Sequence, residues 1–112
     1  MERPGYLQDA DISYREARAS EYEAILLLGG RAPEYLRNDP VLLALVKAFQ
    51  AEDKFIFSIC HGIQILCSAG LAEGKRLTCY EHCAAEVVAK GGTWINEQCV
   101  RDGKIVSSQT WQ

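Results

Sequence analysis

The residues from Ala24 to Leu28 are apolar without interruption, and Gly29-Gly30 closes the run. A short continuous apolar run of this kind fits a strand buried on both faces. Asn38-Asp39-Pro40 then opens a helix, with Asp39 as N-cap and Pro40 at the first helical position. Val41, Leu42, Leu45, Val46 and Phe49 recur at helical spacing and carry it to about Gln50. Leu43 lies off that stripe, which predicts partial cover on a second face. Lys54 to Ile59 reads as the next strand and Gly62 to Ala69 as the next helix, stopped by Gly70. Leu77 to Tyr80 predicts a strand, and Glu81 to Lys90 a helix ended by Gly91-Gly92. Val100 to Ile105 predicts a hairpin around an Asp-Gly turn. Residues 1–20 are polar and weakly patterned, with room for one edge strand between Gly5 and Tyr14. Alternation of strands and helices implies a mostly parallel sheet covered by helices.

Composition narrows this picture only slightly. A chain of 112 residues, 48% hydrophobic and 24% charged, suits a single domain with one core. The net charge of −3 and the scattered Lys and Arg make no basic stripe, so nucleic acid is not an expected partner. No apolar run approaches the roughly 18 residues that a membrane span needs. Met1-Glu2-Arg3-Pro4-Gly5 has no signal-peptide hydrophobic segment. The five cysteines are an odd count without paired spacing, as in a reducing cytosol. The expectation is a soluble cytoplasmic domain.

The chemistry concentrates where the second strand meets its helix. Phe55-Ile56-Phe57-Ser58-Ile59 runs directly into Cys60-His61-Gly62 and then the apolar helix Ile63-Gln64-Ile65-Leu66. A strand–turn–helix corner lifts a side chain off the sheet and points it at the helix N-terminus, where negative charge is favoured. Such positions in general favour the reactive thiolate. The order parallels the nucleophile elbow of hydrolases, with Cys in place of Ser. The plainer reading is a buried structural cysteine, a common fate of free Cys. Cys79, His82 and Cys83 are zinc-type donors, but they form no C-x₂-C pair, and no metal is expected.

Gly29-Gly30-Arg31-Ala32-Pro33-Glu34-Tyr35, Ser58-Ile59-Cys60-His61-Gly62-Ile63-Gln64-Ile65-Leu66, Ala69-Gly70-Leu71, Thr78-Cys79-Tyr80 and Gly91-Gly92-Thr93-Trp94 follow one another in the order of the DJ-1/PfpI family. From about Tyr22 onward the chain resembles that family, most of all its PfpI-like and plant DJ-1-type branch. The resemblance implies a flavodoxin-like three-layer α/β/α sandwich of the class I glutamine amidotransferase-like superfamily. It implies cysteine-dependent, cofactor-independent chemistry: a glyoxalase or deglycase acting on a reactive carbonyl, or a peptidase. The family nucleophile falls on Cys60 and its neighbouring histidine on His61. Glu34 matches a glutamate that reaches a neighbouring subunit's site, so a homo-oligomer is implied. Gly30, with Gly29 and Arg31 beside it, matches the oxyanion region, and Tyr80 a position near the pocket. Each has a plainer alternative: Gly29-Gly30 as strand terminator, Glu34 as a surface acid paired with Arg31, Tyr80 as a core-edge aromatic.

The resemblance also implies absences. Family members begin with a strand and a helix bearing a glutamate that hydrogen-bonds the nucleophile, a unit of roughly 30 or more residues. This sequence shows neither, nor the helix that follows the Gln109-Thr110-Trp111 region. A truncated single domain over 1–112, with reduced activity and a tendency to self-associate, is the expectation. A redox sensor built on Cys60, or an inactive relative, are the alternatives to an enzyme.

Overall fold

In the structure, a computed structural model describing residues 17–28 and 32–109, the predicted apolar runs pair as parallel strands. Strand β1 (Ala24–Leu27) pairs in parallel with β2 (Phe55–Ile59), placing Leu27 opposite Ser58. On its other side β2 pairs in parallel with β6 (Ile105–Ser108), and β6 pairs antiparallel with β5 (Cys99–Asp102). The sheet order is β1-β2-β6-β5. A second, two-stranded parallel sheet joins β3 (Arg76–Leu77) to β4 (Thr93–Trp94). The mixed, mostly parallel architecture is the flavodoxin-like one. The edge strand expected between Gly5 and Tyr14 lies outside the described residues.

The described residues also hold four α-helices: α1 (Ala32–Leu36), α2 (Pro40–Ala51), α3 (Ile63–Ser68) and α4 (Ala84–Ala89). Helix α2 begins as its sequence dictates, with the Asp39 carboxylate accepting from the Val41 N–H at 2.9 Å and Pro40 occupying the first turn. At its end Asp53 adopts φ 58°, and the Lys54 N–H returns to the Phe49 carbonyl, a Schellman closure made without glycine. Helix α2 buries Leu42, Val46 and Phe49, and α3 buries Ile63, Ile65, Leu66 and Cys67. These pack with Leu27, Ile56 and Ile105, which point from alternate positions of β1, β2 and β6 to one face of the sheet. Arg37, just past α1, ties the helices together: its guanidinium donates to Ser68 Oγ at 3.0 Å and pairs bidentately with Glu86 of α4.

Three local departures from the sequence expectation have physical causes. The strand expected over Leu77–Tyr80 stops at Leu77, because the Thr78 N–H bonds to the Ser107 hydroxyl at 2.8 Å and its own hydroxyl to the Glu97 carbonyl at 2.9 Å. The helix expected over Glu81–Lys90 starts as a 3-10 turn, Glu81–Cys83, and becomes α-helical only at Ala84. The hairpin is present, but its loop is Gly103-Lys104 between the paired Asp102 and Ile105.

The other face of the sheet, carrying Leu26, Phe55, Phe57 and Val106, is far less covered. Leu26 is 50% and Phe57 37% exposed, although they are register partners. Arg101 and Lys104 lie over the Phe55 ring at 5.1 and 4.5 Å and shield only that end. Of the expected sandwich, the described residues thus show the sheet and a single helical side. Strand β1 has no partner along its outer edge among the described residues, so both an edge and a face invite association. The chain is expected to self-associate at micromolar concentration, and Leu26→Lys with Phe57→Lys to shift it toward monomer. Size-exclusion chromatography with light scattering decides this; a monomer with or without the substitutions defeats it.

Candidate active site

Strand β2 leaves the sheet in an extended conformation at Ile59 (φ −126°, ψ 132°), and the next residue turns hard. Cys60 has φ 56°, the left-handed region, which costs a residue with a Cβ roughly 1–2 kcal/mol. The strained strand-to-helix turn expected at Cys60 is present. Residues Cys60–Gly62 form a 3-10 turn that runs straight into α3. The turn can sit there only because residue 62 is glycine: a Cβ on Gly62 would lie 2.3 Å from the Leu27 carbonyl oxygen. The elbow is thereby pressed against the end of β1, the strand that leads into Gly29-Gly30.

His61, adjacent in sequence and so free to turn its ring away, does the opposite. Its Nδ1 lies 3.3 Å from Cys60 Sγ, within hydrogen-bonding range for sulfur. The His61 ring rests against Tyr80 at 5.1 Å between centroids, and Tyr80 against His82 at 4.8 Å. The structure therefore brings Cys60, His61 and Tyr80 together, with His82, in sequence a zinc-type donor beside Cys83, as a further neighbour. The Tyr80-x-His82 spacing was the available signal. A hollow of about 220 Å³ opens beside Tyr80, lined by Tyr80, Glu81, Asn96 and Gln109. A larger one, about 460 Å³, opens between Lys54, Gly70 and Lys104 at the far end of β2, away from the thiol.

The remaining expected residues are placed unevenly. Glu34 is exposed on α1, which packs beside the Cys60–Gly62 turn. Gly29, Gly30 and Arg31 lie outside the described residues. No group of three or more His, Cys, Asp and Glu side chains suited to a metal ion occurs among the described residues.

The other thiols are set apart by burial. Desolvation pushes Cys67, Cys79 and Cys83 up, Cys79 to about 12, so all three remain protonated at neutral pH. Cys99 is exposed on β5, and Cys60 is half-buried at the elbow. Limiting iodoacetamide at neutral pH is expected to modify Cys60 first. Tandem mass spectrometry locates the adduct, and preferential labelling of any other cysteine contradicts the expectation.

An α/β domain with a cysteine on a strained strand-to-helix turn, and a histidine on its sulfur, defines a cysteine-elbow protein. The chain belongs to the DJ-1/PfpI family, whose sequence profile matches residues 2–112. It is 38% identical to protein DJ-1 homolog D of Arabidopsis thaliana over 98% of this chain and 29% of that protein. A deglycase of Pyrococcus abyssi is also 38% identical, over 94% of this chain and 63% of the relative. Among solved structures, a two-domain protein of Anabaena variabilis with DJ-1/ThiJ/PfpI-like and ferritin-like domains superposes with a TM-score of 0.91 at 30% identity. That match covers 96% of this chain and 31% of the other. The chain spans less than two thirds of these relatives.

Proposed function

We propose that Cys60 is the nucleophile of a cysteine-dependent reaction on a reactive carbonyl compound, of glyoxalase or deglycase type. The observation that carries the reading is the Cys60 sulfur at 3.3 Å from His61 Nδ1, on a residue held at φ 56°. Family membership and the relative named as a deglycase support it. In the reaction, Cys60 Sγ bonds to the carbonyl carbon and the C=O π pair moves onto oxygen. His61 Nδ1 takes the thiol proton and can return it to the oxyanion, giving a neutral hemithioacetal. Backbone N–H groups of the Gly29-Gly30 segment and of His61 would hold the oxyanion, with Tyr80 closing the site against His82. Glu34 would act across a contact between copies of the chain, and Arg31 would bind substrate. A peptide or amide carbonyl is the second substrate class open to the same nucleophile. No cofactor enters the proposal. A cytoplasmic setting suits five free thiols.

The test is turnover of methylglyoxal by the chain and by Cys60→Ala. Slow turnover, reduced by on the order of 10³-fold or more in the variant, supports the reading. Turnover that survives Cys60→Ala overturns it. Oxidation of Cys60 with no turnover favours a redox sensor instead.

A further inference from the structure

The hollow of about 460 Å³ at the far end of β2 has a size usual for sites that take small molecules. Three segments enclose it: the α2–β2 joint with Asp53 and Lys54, the stretch from Gly70 to Lys75, and the β5–β6 hairpin with Arg101 and Lys104. Ile56, Leu71 and Ile105 supply its apolar part, and Ile56 and Ile105 are core residues of β2 and β6. Ile56 precedes Cys60 by about 13 Å of strand, so the hollow is separate from the thiol site. Four cations line it against two carboxylates, Asp53 and Glu73, in a chain whose net charge is −3. The Lys54 charge is answered: its ammonium donates to the Ala19 and Tyr22 carbonyls, both at 2.6 Å, and lies 3.2 Å from Glu52. Lys75, Arg101 and Lys104 have no carboxylate within ion-pair distance among the described residues. Two of them are nonetheless held in place. Arg101 Nε donates to the Gly103 carbonyl at 2.9 Å, and its guanidinium and the Lys104 ammonium lie 5.1 and 4.5 Å from the centre of the same Phe55 ring. Like charges gathered on one ring repel, and an anion shared with Lys75 relieves that repulsion.

We propose that this hollow binds a small organic phosphate monoester, with its head on Lys75, Arg101 and Lys104 and its body on Ile56, Leu71 and Ile105. A phosphate monoester carries close to two negative charges and three free acceptor oxygens, which suits one guanidinium and two ammonium groups converging from separate segments. The Arg101 Nε is already engaged, and its terminal N–H groups remain to donate. A carboxylate is singly charged and has two oxygens, so it would leave one of the three cations unanswered. The apolar part of the hollow distinguishes an organic ester from the bare ion, because burying its body against Ile56 and Ile105 adds affinity that inorganic phosphate lacks. Binding here involves no chemistry at Cys60 and stands or falls apart from the proposed function.

The probe is phenyl phosphate, titrated into the isotope-labelled chain in a phosphate-free, low-salt buffer and followed by amide NMR shifts. Saturable shifts are expected at Gly70, Leu71, Gly103 and Lys104, with affinity falling as salt is added. Phenol, without the charged head, should leave those amides in place, and inorganic phosphate, without the apolar body, should bind more weakly. Lys75→Ala combined with Lys104→Ala should weaken phenyl phosphate by about 10-fold or more. Lys47→Ala combined with Lys90→Ala removes the same charge from exposed lysines outside the hollow and should leave the affinity unchanged. The spread of amide signals in each variant reports that it is folded. Shifts scattered over the surface without saturation, inorganic phosphate binding as tightly as phenyl phosphate, or equal affinities for the two double variants would each overturn the proposal.

Discussion

Gly62→Ala is expected to destabilise the domain by about 3 kcal/mol, lowering its melting temperature by on the order of 10 °C. By intrinsic propensity the sign would be reversed. Gly62 has φ −57° and ψ −22°, ordinary helical values, and alanine is favoured over glycine there by about 1 kcal/mol. Space decides otherwise. The new Cβ would meet the Leu27 carbonyl oxygen at 2.3 Å and its carbon at 2.9 Å, backbone atoms that cannot rotate aside. Leu27 is held in the β1–β2 ladder opposite Ser58, so relief means opening the parallel pairing or pushing the elbow out of the sheet. Gly70→Ala is the control. It has φ 78° with nothing within 4 Å of the new Cβ, so it should cost only the left-handed strain, about 1 kcal/mol. Thermal unfolding by circular dichroism compares the two. Equal melting temperatures for both variants would mean that β1 yields freely to the elbow.

The parts of the fold legible in the sequence are those that local chemistry fixes. The Asp39 cap, the Pro40 first turn and the stripe from Leu42 to Phe49 specify α2 with no outside help. The apolar runs of β1 and β2 and the stop at Gly70 likewise stand alone. Where the pattern misled, a distant partner had intervened: a Ser107 hydroxyl takes the Thr78 N–H and ends β3 after two residues. Helix α1 and strand β4 are too short to show a period, and β6, legible as a hairpin arm, does not show in sequence that it pairs in parallel with β2. At the site, the strained turn was readable from strand, Cys-His-Gly and helix in succession. The His61 ring direction was not, because a rotamer answers to Tyr80, nineteen positions away.

Cys60→Gly is expected to remove any Cys60-dependent turnover completely while leaving the domain more stable than before. The left-handed φ of 56° costs a residue with a Cβ about 1–2 kcal/mol, a cost glycine escapes. Glycine loses about 0.5–1 kcal/mol through the greater freedom of the unfolded chain. The difference favours the variant by about 0.5–1 kcal/mol, a rise of roughly 4 °C in melting temperature. Cys60→Ala keeps the Cβ and hence the strain, so its stability should stay close to that of the parent with the sulfur gone. Cys60→Val adds a β-branch at a positive φ, where such residues are genuine outliers, and should be the least stable of the three. The order Gly, Ala, Val in melting temperature, with turnover absent throughout, would identify the turn as strain held for the sake of the thiol. If Cys60→Gly melts below Cys60→Ala, the elbow is relaxed as it stands, and the strain argument for a nucleophile at this position fails.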